Sequence, residues 1–265
     1  MQIGKFTTQP AAEIKPLEEI RGLFVGRKGT GKSRAAISLR DCAPTKSALV
    51  IDIDNRKQSL RGEENVEVVS FSEKDGFEQL QDFLHECSKL VDKGLFQEKF
   101  CITLLSSITS VQTFLLKDSM NFIGDKPGSD GDKKGGAQKI GKMIVPGMRN
   151  YLYMASGVEE IILQQLFYLP GHLIIEGHLV PHWNDKNEID GETILGTDKI
   201  AEKIPTFFNE VWKFAKEPGA SANLPPEYVV HFRSNIADTT YPKLPARTVI
   251  TNKRFYPELK RLLEK

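Results

Sequence analysis

The chain has 265 residues, with 36 Lys+Arg against 35 Asp+Glu and a formal charge of +1, which leaves room for one large domain or two small ones and a core that needs no disulfide or metal staple. The near-zero charge excludes a globally basic nucleic-acid wrapper, so any nucleic-acid contact must be a local patch. Cys42, Cys87 and Cys101 are odd in number and lack C-x-x-C spacing, which speaks against a disulfide framework and for a reducing compartment.

Residues 1–20, punctuated by Pro10 and Pro16, contain no apolar core of a secretory signal, and later apolar runs are far too short to span a bilayer. The expected location is the cytoplasm, with no membrane partner. Leu23-Phe24-Val25, ending at Gly26, reads as a buried strand. Ser33 to Arg40 reads as a helix with Ala35, Ala36, Ile37 and Leu39 on its apolar surface. Ala48 to Ile51 is a second buried strand, closed by Asp52-Ile53-Asp54-Asn55, and Val66 to Phe71 is a short third. Phe77, Leu80, Leu84, Cys87 and Val91 recur at steps of three and four, which predicts an amphipathic helix. Further on, strands are expected at Cys101 to Leu105 and Leu173 to Ile175, with a helix from Val158 to Leu169 between them. Strands alternating with helices predict an α/β domain with a largely parallel sheet. Glu210 to Phe214 and Tyr228 to Phe232 alternate like strands and are expected to extend that sheet in antiparallel fashion. Residues 124–142 hold six glycines, five lysines and three aspartates and read as a mobile loop.

The most informative segment is Gly26-Arg27-Lys28-Gly29-Thr30-Gly31-Lys32-Ser33, which fits G-x-x-x-x-G-K-[ST] between a strand and a helix. Glycines at 26, 29 and 31 let the backbone fold into a nest of N–H groups for phosphate oxygens. Lys32 is expected to reach the β- and γ-phosphates, and the Ser33 hydroxyl to hold Mg²⁺. Arg27, Lys28, Thr30 and Arg34 complete the expected phosphate-binding set. No guanine-reading N-K-x-D motif is present, so ATP is the expected nucleotide.

Hydrolysis needs a carboxylate on the metal side and a second group that orients water. The first belongs at the end of the Cys101–Leu105 strand, but no acidic residue occurs between Lys99 and Lys117, and Ser106 stands there instead. A charge-assisted hydrogen bond is worth roughly 1.5–3 kcal/mol, so its loss predicts weaker metal handling without loss of binding. Asp52 and Asp54 close the preceding strand over the same sheet edge, and either can orient water or serve as the metal-side ligand. His178 and His182 have zinc-like spacing, but Pro181 and the strand context argue against a zinc pair.

On GRKGTGKS at 26–33, LVIDIDN at 49–55, CITLLSSITS at 101–110, HLIIEGHLVP at 172–181 and ILGTDKIAEKIPTFFNEVWKF at 194–214, the chain resembles RecA-like P-loop ATPases. More narrowly, it is similar to phage-encoded single-strand annealing recombinases. The resemblance implies a RecA-like core over 21–250, between a lead-in at 1–20 and a tail at 251–265. It implies that Asp54 activates water and that His178 senses the γ-phosphate, with Lys32 completing the catalytic set. The family's metal-side Asp corresponds to Ser106, leaving Ser33 and Asp52 as metal-side candidates and predicting weak or conditional hydrolysis.

The implied partners are single-stranded DNA, further copies of the chain in a ring or filament, and a single-strand DNA-binding protein. Lys133, Lys134, Lys139 and Lys142 are the candidate DNA contacts, while Lys243 and Arg247 are candidates for reaching a neighbour's γ-phosphate. The leading expectation is an ATP-binding protein acting on single-stranded DNA in recombination or annealing, in the host cytoplasm if phage-encoded. The alternative is a nucleotide-gated interaction module with little turnover. A small-molecule kinase ranks last, because the 124–142 segment has no arginine for a lid.

Overall fold

The computed structural model describes residues 2–3, 6–7, 19–54, 60–71, 76–122, 138–140, 143–183, 186, 188–196, 198–219, 225–250 and 255–264. Strands β1 (Gln2–Ile3) and β2 (Phe6–Thr7) pair antiparallel, apart from the main sheet. The body begins with β3 (Arg21–Gly26), helix α1 (Lys32–Ser38), β4 (Ser47–Asp52), β5 (Val66–Ser70) and α2 (Gly76–Asp92). Next come the short α3 (Leu95–Lys99), β6 (Phe100–Ser106) and α4 (Ile108–Phe122). A small hairpin, β7 (Gln138–Ile140) with β8 (Met143–Val145), precedes α5 (Met148–Glu160). The chain then forms β9 (His172–Trp183), β10 (Ile189–Ile194), α6 (Asp198–Lys203), β11 (Glu210–Glu217), β12 (Glu227–His231), β13 (Arg247–Val249) and α7 (Phe255–Glu264).

One nine-stranded sheet holds these strands in the order β13-β12-β11-β3-β9-β6-β4-β5, with β10 paired to β9. From β11 through β5 every neighbouring pair is parallel; β12, β13 and β10 join antiparallel. This is an α/β fold with a mostly parallel sheet flanked by helices and an antiparallel C-terminal extension. The parallel strands are buried on both faces, so they read as continuous apolar runs: β3, β4 and β6 are almost wholly buried. The antiparallel extension begins one strand later than expected, because β11 runs parallel to β3.

Each face of the sheet carries its own core. On one, α2, α4 and α5 cover Leu23, Val25, Ile51, Leu105 and Ile175. On the other, α1 and α7 cover Phe24, Val50, Leu104 and Ile174. Phe24, Trp212, Phe214, Phe232 and Phe255 form an aromatic cluster there, with Phe24 and Trp212 stacked at 5.2 Å. Trp212 is fully buried, whereas Trp183 at the end of β9 is exposed.

Several elements differ from the expected ones, three of them in ways that bear on the core. Helix α4 is additional. The expected Val158–Leu169 helix begins earlier, at Met148, and passes into a π-helical turn over Ile161–Leu166. Its first half exposes Met148, Tyr151, Leu152 and Tyr153, which blurs the apolar stripe. The strand at Leu173–Ile175 continues to Trp183 because β10 pairs with its second half. Of the Gly/Lys-rich stretch, only Gln138–Ile140 lies among the described residues, as β7. Among the described residues no helix is long and apolar enough to cross a membrane.

Candidate functional site

The carboxyl ends of β3, β9, β6 and β4 converge where α1 begins. The loop after β3 depends on glycine at two points. Gly26 has φ 157°, and a Cβ there would lie 2.3 Å from the Phe214 carbonyl oxygen. Gly31 has φ 90° and caps α1. The Thr30 hydroxyl donates to the Arg27 carbonyl at 2.9 Å. Lys32 is buried and folds back over the loop, its Nζ donating to the Gly26 carbonyl at 2.9 Å and the Arg27 carbonyl at 3.1 Å.

In front of this loop lies a cavity of about 430 Å³. Residues 28–35 form one wall, and Leu60, Tyr228 and Ile250 give it an apolar side. Its floor is made by alternate residues of three strands: Val50 and Asp52 of β4, Leu104 and Ser106 of β6, Glu176 and His178 of β9. Period-two alternation puts all six on the α1 face of the sheet. Register confirms the alignment, because Asp52 pairs with Ser106, Leu105 with Ile175, and Glu176 with Phe24. Asp52, Ser106 and Glu176 therefore stand in one row across the sheet.

Glu176 is absent from the residues that sequence reasoning singled out. It is 3% exposed, and its Oε1 has no hydrogen-bond partner. Burial pushes its carboxyl above the ordinary carboxylate range, opposed by the nearby Lys32 ammonium and by hydrogen bonds from the Ser33 and Ser106 hydroxyls. The available signal was one carboxylate directly after the apolar run Leu173-Ile174-Ile175, inside a strand buried on both sides.

Asp54 lies just past β4 with its side chain only 5% exposed. The Ser107 hydroxyl donates to its Oδ1 at 3.4 Å and the Ser110 hydroxyl to the same oxygen, while His178 Nε2 stands 3.6 Å from Oδ2. The expected water-orienting acid and the expected phosphate sensor are thus brought together.

The other sequence candidates are placed differently. Arg27 turns away from the cavity and donates to Glu192 Oε1 at 3.0 Å, while Lys213 holds the other oxygen at 2.7 Å. Lys213 first and Arg27 second keep the Glu192 carboxyl below its ordinary value. Lys28 and Arg34 are exposed at the cavity wall. Arg247 pairs with Glu217 at 2.7 Å, and Lys243 is exposed in a turn. Lys133, Lys134 and Lys142 lie outside the described residues, and Lys139 lies in β7.

Ser33, Asp52, Ser106 and Glu176 offer oxygen donors to the cavity, which suits a hard divalent cation such as Mg²⁺. Among the described residues no group of three or more His, Cys, Asp or Glu forms a metal cluster. Such a cation would therefore be completed by phosphate oxygens and water, as is usual for Mg²⁺.

No protein-family model matches the chain, and no curated protein matches it. Among solved structures it is similar to the RadB recombinase, at 10% identity and TM-score 0.45, covering 89% of this chain and 88% of that one. It is also similar to the flagellar accessory protein FlaH from Methanocaldococcus jannaschii (10%, TM-score 0.39, 86% and 83% coverage). A third is an uncharacterized Pyrococcus horikoshii protein in complex with an unknown peptide (9%, TM-score 0.44, 91% and 91% coverage).

Proposed function

We propose that this chain is a RecA-like ATP-binding protein that acts on single-stranded DNA in recombination or annealing, as an oligomer and with slow or conditional hydrolysis. The observation that carries the nucleotide reading is the buried Lys32, held over a glycine-built loop at the mouth of a cavity of about 430 Å³. A lysine ammonium that donates to two loop carbonyls is poised to exchange them for phosphate oxygens. Loop N–H groups bind the same phosphates, with Lys28 and Arg34 at the rim. The apolar side formed by Leu60, Tyr228 and Ile250 accommodates a base. Ser33 and Asp52 face the place of a Mg²⁺ ion, which when bound neutralises charge on the β- and γ-phosphates. Asp54 orients the attacking water, and His178 couples it to the γ-phosphate.

The DNA and oligomer parts of this reading rest on the sequence resemblance to annealing recombinases and on the lysines of the 124–142 segment. They are tested by fluorescence anisotropy of labelled single-stranded DNA. ATP should change the affinity, Lys32→Ala should remove that change, and an ATP-independent titration would sink the reading.

Ser106 favours a second reading, a nucleotide-gated module that binds ATP with little turnover. Tight analogue binding with negligible phosphate release and no DNA response would select it.

A further inference from the structure

Ser106 leaves the end of β6 without an acid, yet Glu176 of the neighbouring strand β9 lines the same cavity. We propose that Glu176 is the metal-side carboxylate of this site, supplied from β9 in place of the acid missing from β6. The assignment rests on the nucleotide reading above and names a residue that reading did not use.

Three observations carry it. First, the sheet order β3-β9-β6-β4 sets Glu176 on the strand next to the phosphate-loop strand, with Ser106 one strand farther and Asp52 another. All three lie in one row on the α1 face, so Glu176 is the nearest acid of the row to the loop. Second, Glu176 lines the same cavity as Ser33, the P-loop side chain expected on the metal, and Ser106, which stands where the missing acid belongs. The small Ser106 side chain leaves room in its row for the longer glutamate of the next strand. Third, Glu176 is 3% exposed, lines the cavity, and keeps Oε1 without a hydrogen-bond partner. A buried carboxylate oxygen aimed at a phosphate-binding cavity is costly unless a cation completes it. A hard divalent ion is bound through one or two carboxylates plus substrate phosphates, which is the arrangement these oxygens offer.

The idea makes residues 106 and 176 a coupled pair. An aspartate added at 106 would crowd a second negative charge against Glu176, so Ser106→Asp alone should not improve the site. Combined with Glu176→Gln, it should return a carboxylate to β6 and restore metal handling.

The test is calorimetric titration of a non-hydrolysable ATP analogue, with Mg²⁺ and with EDTA, into the full chain. In the wild type Mg²⁺ should tighten binding about tenfold or more over the EDTA value, and in Glu176→Gln by less than about twofold, with a cooperative thermal melt by circular dichroism as the folding control. The double variant Ser106→Asp/Glu176→Gln should regain most of the Mg²⁺ effect. A wild-type Mg²⁺ effect retained by Glu176→Gln would overturn the assignment while leaving the nucleotide reading standing. No analogue binding by the wild type under either condition would overturn both. A crystal of the wild type with Mn²⁺ and the analogue gives a readout independent of any variant's folding. The anomalous peak should lie against Glu176 and Ser33, and a peak against Asp52 with Glu176 remote would overturn the assignment.

Discussion

Asp54 accepts hydrogen bonds from Ser107 and Ser110 at one oxygen and faces His178 with the other, so its orientation is fixed before any substrate arrives. A positioned base contributes about 10²–10⁴-fold to a proton-transfer step. Asp54→Asn should therefore lower phosphate release by about 10²-fold or more while leaving analogue affinity unchanged, a separation that single-turnover and equilibrium measurements resolve. Equal losses in both would mean that Asp54 acts in binding. At the opposite end of the sheet, Cys42 is exposed and has an unusual environment. Its hydrogen bond with Cys101 and the adjacent His172, 3.3 Å away, bring its thiol down to about 5. His172 Nδ1 accepts the Ile20 N–H, which leaves Nε2–H to donate toward the sulfur. Cys87, by contrast, is buried and pushed up to about 11. A group with a lowered value is already ionised above it, so alkylation at Cys42 should be nearly independent of pH from 6 to 8. An ordinary thiol would speed up about tenfold per pH unit over that range. Peptide mass spectrometry after brief iodoacetamide treatment should find Cys42 modified first, and a steep pH dependence would refute the thiolate.

Helices α4 and α5 are packed through a glycine. A Cβ at Gly157 would lie 2.5 Å from Leu115 Cδ2, and Leu115 is fully buried. Gly157→Ala should thus destabilise by about 1–3 kcal/mol despite alanine's better helix propensity, as read from urea midpoints. A stabilised variant would show that the two helices can separate. This pair also marks where sequence reading stops. The parallel strands were legible because burial on both faces leaves unbroken apolar runs, and α2 because one face is wet. Helix α4 buries Ile108, Val111 and Leu115 but also Gln112 and Ser119, so its polar and apolar positions do not separate cleanly. The phosphate loop was legible because its chemistry is local. The neighbours of Glu176 were not, because β9 reaches its place between β3 and β6 only through the sheet order, about which spacing along the chain is silent. The placement of Arg27 was not legible for a related reason. Its partner Glu192 lies on β10, a strand with too little apolar pattern to be foreseen.

Across the whole molecule, a ligand that binds only the folded state stabilises it by mass action. At a hundredfold excess over Kd the gain is about 2.7 kcal/mol, or a rise in Tm of roughly 5–10 °C for a chain near this size. A saturating ATP analogue should raise the melting temperature by that order, and Lys32→Ala should lose the rise. An equal shift in the variant would mean that the analogue binds elsewhere. The phosphate-loop strand β3 also carries Phe24, which stacks on Trp212 of the neighbouring β11 in the aromatic cluster. The chain has only two tryptophans, one sealed in that cluster and one exposed at the far end of β9. The protein therefore carries two intrinsic fluorophores with separate colours: a blue-emitting indole that reports the integrity of the core beneath the phosphate loop, and a red-emitting one on the β9–β10 hairpin, free to be quenched by whatever settles there.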